Sequence, residues 1–148
     1  MIKLFGIGNI LLCDDAIGVR IAEKLKSYLI SKSDLIEIII GETDFLYCLS
    51  CVEPNDRVII IDSTYLDLPP ATISFFTLSE YNKFFKSPYL AHEVTFLSML
   101  IHDYPNISGY FIGIEIAKID YSLTLSPLLE NKLDDLCNKI LDFINEII

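Results

Sequence analysis

Two carboxylates and an imidazole, Asp15, Asp62 and His92, stand at points in the chain where side chains commonly meet a ligand. Asp15 follows Asp14 just ahead of a stretch with helical periodicity. Asp62 closes the apolar run Val58-Ile59-Ile60-Ile61, and His92 opens a second helical stretch after Ser87-Pro88. Each also has a plain structural reading. An aspartate before a helix accepts hydrogen bonds from free backbone N–H groups and complements the helix dipole, and Asp14 is the better placed of the pair to cap. An aspartate after a strand can form a turn, and a lone histidine is often solvent-facing. Taken together, the three offer two oxygens and one nitrogen with no thiolate, a donor set that leaves coordination positions open for substrate or water. Imidazole suits nickel, zinc or iron, and carboxylates discriminate less. No Ser-His-Asp or Cys-His spacing is identifiable, so covalent catalysis has no clear nucleophile.

Other motifs carry less. Gly6-Ile7-Gly8-Asn9 begins like a dinucleotide fingerprint, but Leu11 occupies the third glycine position and no P-loop lysine follows. The cysteines are at positions 13, 48, 51 and 137. Cys48 and Cys51 form a C-x-x-C without the second ligand pair that a structural zinc site needs, and they fall inside a helical stretch, where they read as small apolar residues. His102 reads as a helix-terminus residue favoured by the dipole.

The elements that would position these groups alternate between strand and helix. Residues 2–7, 35–40, 57–61, 71–77 and 109–116 read as strands. Helical spacing marks residues 15–31, 44–53, 92–101 and a long closing helix from Pro127; residues 78–90 fit neither pattern well. The expected fold is α/β, a three-layer sandwich with a mostly parallel, five-stranded twisted sheet and helices on both faces, all in one domain over residues 1–148. Parallel sheets bind ligands at the carboxyl ends of their strands. The loop with Gly8, Asn9, Asp14 and Asp15, the turn Gly41-Glu42-Thr43 and the segment Asp62-Ser63-Thr64 would all open on that edge.

Composition narrows the function classes. Hydrophobic residues make up 52% of the 148 positions, yet no uncharged apolar stretch approaches the ~20 residues of a membrane span. The first apolar run has one basic residue before it and no small-residue cleavage site, so no signal peptide is expected. The expectation is a soluble, cytoplasmic protein with reduced thiols. A net charge of −10 without clustered Lys or Arg argues against nucleic acid as a partner.

The stretch from Gly6 to Gly18, with Gly6, Gly8, Asn9, the acidic pair Asp14-Asp15 and Gly18, resembles the N-terminal motif of the hydrogenase maturation proteases. Val58-Ile59-Ile60-Ile61-Asp62 resembles the second acidic motif of that family. The segment from Ser87 to Leu97 resembles the one that carries its metal-site histidine. Gly113-Ile114-Glu115 and Leu125-Ser126-Pro127 resemble its last strand and the entry to its final helix. The resemblance implies that Asp15, Asp62 and His92 occupy the metal-coordinating positions, with Asp15 or Asp62 assisting a water. It implies an endopeptidase that removes the C-terminal extension of a nickel–iron (NiFe) hydrogenase large-subunit precursor. The nickel would be supplied by the substrate and recognised there, not held as a permanent cofactor. The alternative is a non-catalytic checkpoint or assembly factor that binds the large subunit without cutting it. Three departures from the family pattern stand out: Glu42 in place of the second glycine of a pair, Ala71 in place of glycine after proline, and Thr124 in place of glycine before Leu-Ser-Pro.

Overall fold

The computed structural model describes residues 1–29, 34–85 and 95–148. The elements run β1 (Ile2–Ile7), a 3₁₀ turn (Cys13–Ala16), α1 (Ile17–Tyr28), β2 (Ile36–Glu42), α2 (Phe45–Ser50), β3 (Arg57–Thr64), β4 (Ile73–Thr77), α3 (Leu78–Phe85), α4 (Phe96–Asp103), β5 (Ser108–Glu115) and α5 (Pro127–Ile147). The strands form one five-stranded sheet in the order β2-β1-β3-β5-β4. Every pairing is parallel except that of β4, which runs antiparallel to β5 at one edge. This is the α/β sandwich that the alternating pattern anticipates.

Strand alternation divides the interior into two cores. Leu4, Ile59, Ile61, Ile112 and Ile114 pack with α1 and α5 on one face. Phe5, Ile7, Val58, Ile60 and Phe111 pack with α2, α3 and α4 on the other. Because β1, β3 and β5 are covered on both sides, they read as near-continuous apolar runs. The helices carry their own stop and start signals. Thr95 and Ser98 form a reciprocal capping box at α4, Asp44 caps α2 by accepting from the Tyr47 N–H, and Ser126 caps α5 with Pro127 in the first turn.

Three details depart from the sequence reading. Residues 78–85, which fit neither pattern, form α3. The first long helix begins only at Ile17, because a 3₁₀ turn precedes it. Most consequentially, β3 does not stop at Ile61. Its pairing with β1 ends at Gly6–Ile61, but its pairing with β5 continues through Asp62–Gly113, Ser63–Ile114 and Thr64–Glu115. The carboxyl end of β3 therefore outruns β1, and the loop after β1 fills the freed edge.

Glycine is required where that loop enters and leaves. Gly8 has φ +139°, and a Cβ there would sit 2.0 Å from the Asp15 carbonyl oxygen. A Cβ on Gly18 would meet the carbonyl oxygens of Ile61 at 2.2 Å and Ile7 at 2.5 Å, so α1 rests directly on the ends of β1 and β3. By contrast, Glu42 and Ala71 both adopt left-handed conformations without being glycine, with φ of 49° and 68°. Such conformations cost a non-glycine residue about 1–2 kcal/mol, offset in part by the chain entropy that glycine loses. Ala71→Gly is therefore expected to stabilise the protein by about 0.5 kcal/mol, whereas Gly18→Ala should destabilise it by about 1–3 kcal/mol or more. Chemical denaturation of the two variants checks both signs.

Candidate active site

The chain places its acidic groups at the switch point of the sheet. From β1 the chain turns through α1 to β2 on one side, while β3 lies on the other, so the loops after β1 and β3 diverge and leave a crevice at their carboxyl ends. Asp15 and Asp62 lie there on either side of Ser63.

Asp15 belongs to the 3₁₀ turn and is half-buried. Its Oδ2 accepts from the Asn9 backbone N–H at 2.9 Å, and its Oδ1 accepts from the Ser63 hydroxyl at 2.7 Å. Asn9 is itself ordered locally, its Oδ1 accepting from the Leu11 N–H at 2.9 Å. Asp62, also half-buried, accepts from the Ser63 backbone N–H at 2.7 Å through Oδ1. Burial, with the Asp15 charge adding to it, pushes the Asp62 carboxyl up to about 7 against the pull of the Ser63 N–H. Strand alternation puts Asp62 on the same face of β3 as Val58 and Ile60, the face that α3 covers. Ser63, the next residue, faces the opposite side, where Asp15 lies.

The adjacent Asp14 does something different, and it does not cap α1. The N-cap of α1 is Ala16, which makes no side-chain cap bond. Asp14 is completely buried and accepts from the backbone N–H groups of Ala117 (3.0 Å), Lys118 (2.8 Å) and Ser126 (2.7 Å). It also accepts from the Ser126 hydroxyl at 2.8 Å, and that hydroxyl in turn caps α5. These partners lie more than a hundred positions away, so nothing local in the sequence could reveal them.

Glu42 donates no side chain to this cluster. Its side chain is exposed, while its backbone carbonyl accepts from the Gly8 N–H at 3.0 Å and so closes the turn beneath the site. His92 lies outside the described residues. Among the described residues, no group of three or more His, Cys, Asp or Glu side chains is close enough to hold a metal ion. The described part of the candidate site thus comprises one carboxylate from the 3₁₀ turn and one from β3, linked by Ser63. His102 is exposed in the last turn of α4, 2.9 Å from the Asp103 carboxylate, as a helix-terminus residue should be.

Three of the cysteines are poor nucleophiles. Burial pushes the Cys48 thiol up to about 12 and the Cys137 thiol to about 11. Burial and the neighbouring Asp14 charge raise that of Cys13 as well. Cys48 packs in the core beside α4, and Cys51 is free and half-buried, so the C-x-x-C pair serves as helix packing.

The family model for hydrogenase maturation proteases matches residues 19–143. The chain belongs to the hydrogenase maturation protease family. The protease is 27% identical over 152 residues to the hydrogenase 2 maturation protease of Escherichia coli, with 98% of this chain and 91% of that protein covered. The hydrogenase expression/formation protein HupD of Thiocapsa roseopersicina is 25% identical over 150 residues, covering 97% of this chain and 67% of the relative. The solved structure of the hydrogenase maturating endopeptidase HybD from E. coli superposes with a TM-score of 0.76 at 27% identity, covering 98% of this chain and 92% of that one. A HybD structure from Thermococcus kodakarensis, at 19% identity, shares the fold with a TM-score of 0.75. The protease is accordingly a peptidase built on the same α/β sandwich. Among its described residues, no helix is long and apolar enough to cross a membrane.

Two outcomes follow from the geometry. Asp14→Ala leaves several buried N–H donors without an acceptor, so it should cost about 3 kcal/mol or more in denaturant unfolding. Asp62→Asn should have the opposite effect. The folded Asp62 holds a proton that the unfolded chain has released between pH 3.8 and about 7. Stability from this group is therefore present at low pH and lost as pH rises through that window. The asparagine variant should melt about 3 °C or more above the parent at pH 8, and the gain should vanish near pH 4.

Proposed function

We propose that this protease removes the C-terminal extension of a NiFe hydrogenase large-subunit precursor after nickel insertion, using the substrate-bound nickel as its recognition signal. The observation that carries this reading is the pairing of Asp15 and Asp62 at the switch point of the sheet, in a chain of this family. Two carboxylates, one from the turn after β1 and one from the end of β3, can complete the coordination of a cation held by the thiolates of another protein. His92 supplies the third donor. In sequence it falls between α3 and α4, two helices that pack on the face where strand alternation puts Asp62.

On this reading the nickel arrives with the precursor and anchors the tail, so that an irreversible cut waits for metal loading. Binding fixes the scissile peptide against the carboxylates and converts attack by water into a local event. Asp15, oriented by two hydrogen bonds, serves as a ligand. Asp62 stands beside it on β3, and either carboxylate can assist the attacking water as base. The one domain over residues 1–148 acts in the cytoplasm, where its four cysteines stay reduced; all four are free.

Intact-mass analysis of the cognate precursor, nickel-loaded and nickel-free, tests the proposal. The expected result is loss of a C-terminal fragment only from the loaded form, abolished by His92→Ala and reduced at least about 100-fold by Asp15→Asn. Nickel-dependent binding without any loss of mass would support an assembly factor instead. Full cleavage by Asp15→Asn would remove Asp15 from the site.

A further inference from the structure

The residue that joins the two carboxylates is one that neither the sequence motifs nor the family resemblance singles out. Asp15 and Asp62 approach the crevice from different elements, one from the 3₁₀ turn and one from β3. Nothing in the backbone alone holds two like charges in a fixed relation, and repulsion favours their swinging apart. Ser63 contacts both. Its hydroxyl donates to Asp15 Oδ1 at 2.7 Å, across 48 positions of sequence, while its backbone N–H donates to Asp62 Oδ1 at 2.7 Å.

We propose that Ser63 is a positioning residue, holding Asp15 and Asp62 in one geometry by a hydroxyl bond to the first and a backbone bond to the second. The inference rests on the reading that these two carboxylates form the working site. Three features make Ser63 fit for the task. It sits inside β3, paired with Ile114 of β5, so its backbone is held by the sheet and not by a loop. Strand alternation turns its side chain to the α1 face, toward Asp15, while Asp62 points to the α3 face. Its hydroxyl also completes a two-sided grip on Asp15. The Asn9 N–H takes Oδ2 and the Ser63 hydroxyl takes Oδ1, which fixes the plane of the carboxylate. Each oxygen keeps a second lone-pair direction for a cation or a water proton. Outer partners of this kind orient ligands, and their loss typically costs about 10–100-fold in metal affinity or activity.

The test compares Ser63→Ala with Ser63→Thr, which restores the hydroxyl on a side chain that a strand accepts readily. Cleavage of the nickel-loaded precursor should fall about 10–100-fold in the alanine variant and recover to within about threefold of the parent in the threonine variant. In parallel, NMR hydrogen exchange of the Asn9 amide, whose acceptor is Asp15, should speed up in Ser63→Ala and return toward the parent rate in Ser63→Thr, with melting temperatures confirming that both variants fold. Unchanged Asn9 exchange in the alanine variant overturns the positioning role whether or not cleavage is observed. Equal impairment of the two variants also overturns it, because volume and not hydrogen bonding would then be at stake. If the parent protein cuts no precursor while Asn9 exchange responds as expected, the proposed function fails and the link between Ser63 and Asp15 stands.

Discussion

The buried carboxylate of Asp14 is the interaction on which the site depends. An uncompensated charge in a protein interior is costly, and here the cost is met by three backbone N–H groups and one hydroxyl directed at a single side chain. The donors come from two places in the segment between β5 and α5, just after β5 and at the first turn of α5, where the helix dipole also favours negative charge. The result is a clamp. The loop after β1 is tied to the loop after β5 by side-chain bonds and by a short parallel bridge between Leu12 and Ser122. Asp15 is the next residue in the chain, so fixing Asp14 on the inner side fixes Asp15 on the outer one.

A second constraint is close approach. The carboxyl ends of β1 and β3 meet the start of α1 with no room for a side chain between them, which is what Gly8 and Gly18 accomplish. Tight contact of this kind lowers tolerance for substitution and gives the crevice a rigid floor. The two positions where the chain carries Glu42 and Ala71 in left-handed conformations show the converse, since there the backbone takes a glycine-like conformation without a glycine. Fold geometry at those turns is thus set by the sheet and the loops around it, not by local preference.

The paired acids Asp14 and Asp15 illustrate how position assigns role. Their side chains are chemically identical and adjacent, but one is saturated by donors in the interior while the other keeps free lone pairs at the crevice. Asp62 completes the contrast, because it has lost much of its hydration without gaining enough donors to compensate. Burial therefore leaves it poised to exchange a proton near neutrality.

Much of the fold was legible in the sequence, because apolar periodicity reports burial directly. The runs at residues 2–7 and 57–61, the glycines around Asn9 and the stripe of the last helix each state which face meets the core. The motif around Asp14-Asp15 and the aspartate after the third apolar run also pointed to Asp15 and Asp62, which the fold brings to either side of Ser63. Three things could be decided only by tertiary structure. One was which aspartate of the pair is structural, since the partners of Asp14 lie at residues 117, 118 and 126. Another was the true end of β3, which continues because β5, whose residues lie 51 positions later, goes on pairing with it. The last was the part played by Ser63, an unremarkable residue by type, whose hydroxyl acquires its partner only when the turn after β1 folds over the end of β3. Local sequence determines which surfaces are buried; which polar groups then meet depends on chain segments that only the folded topology brings together.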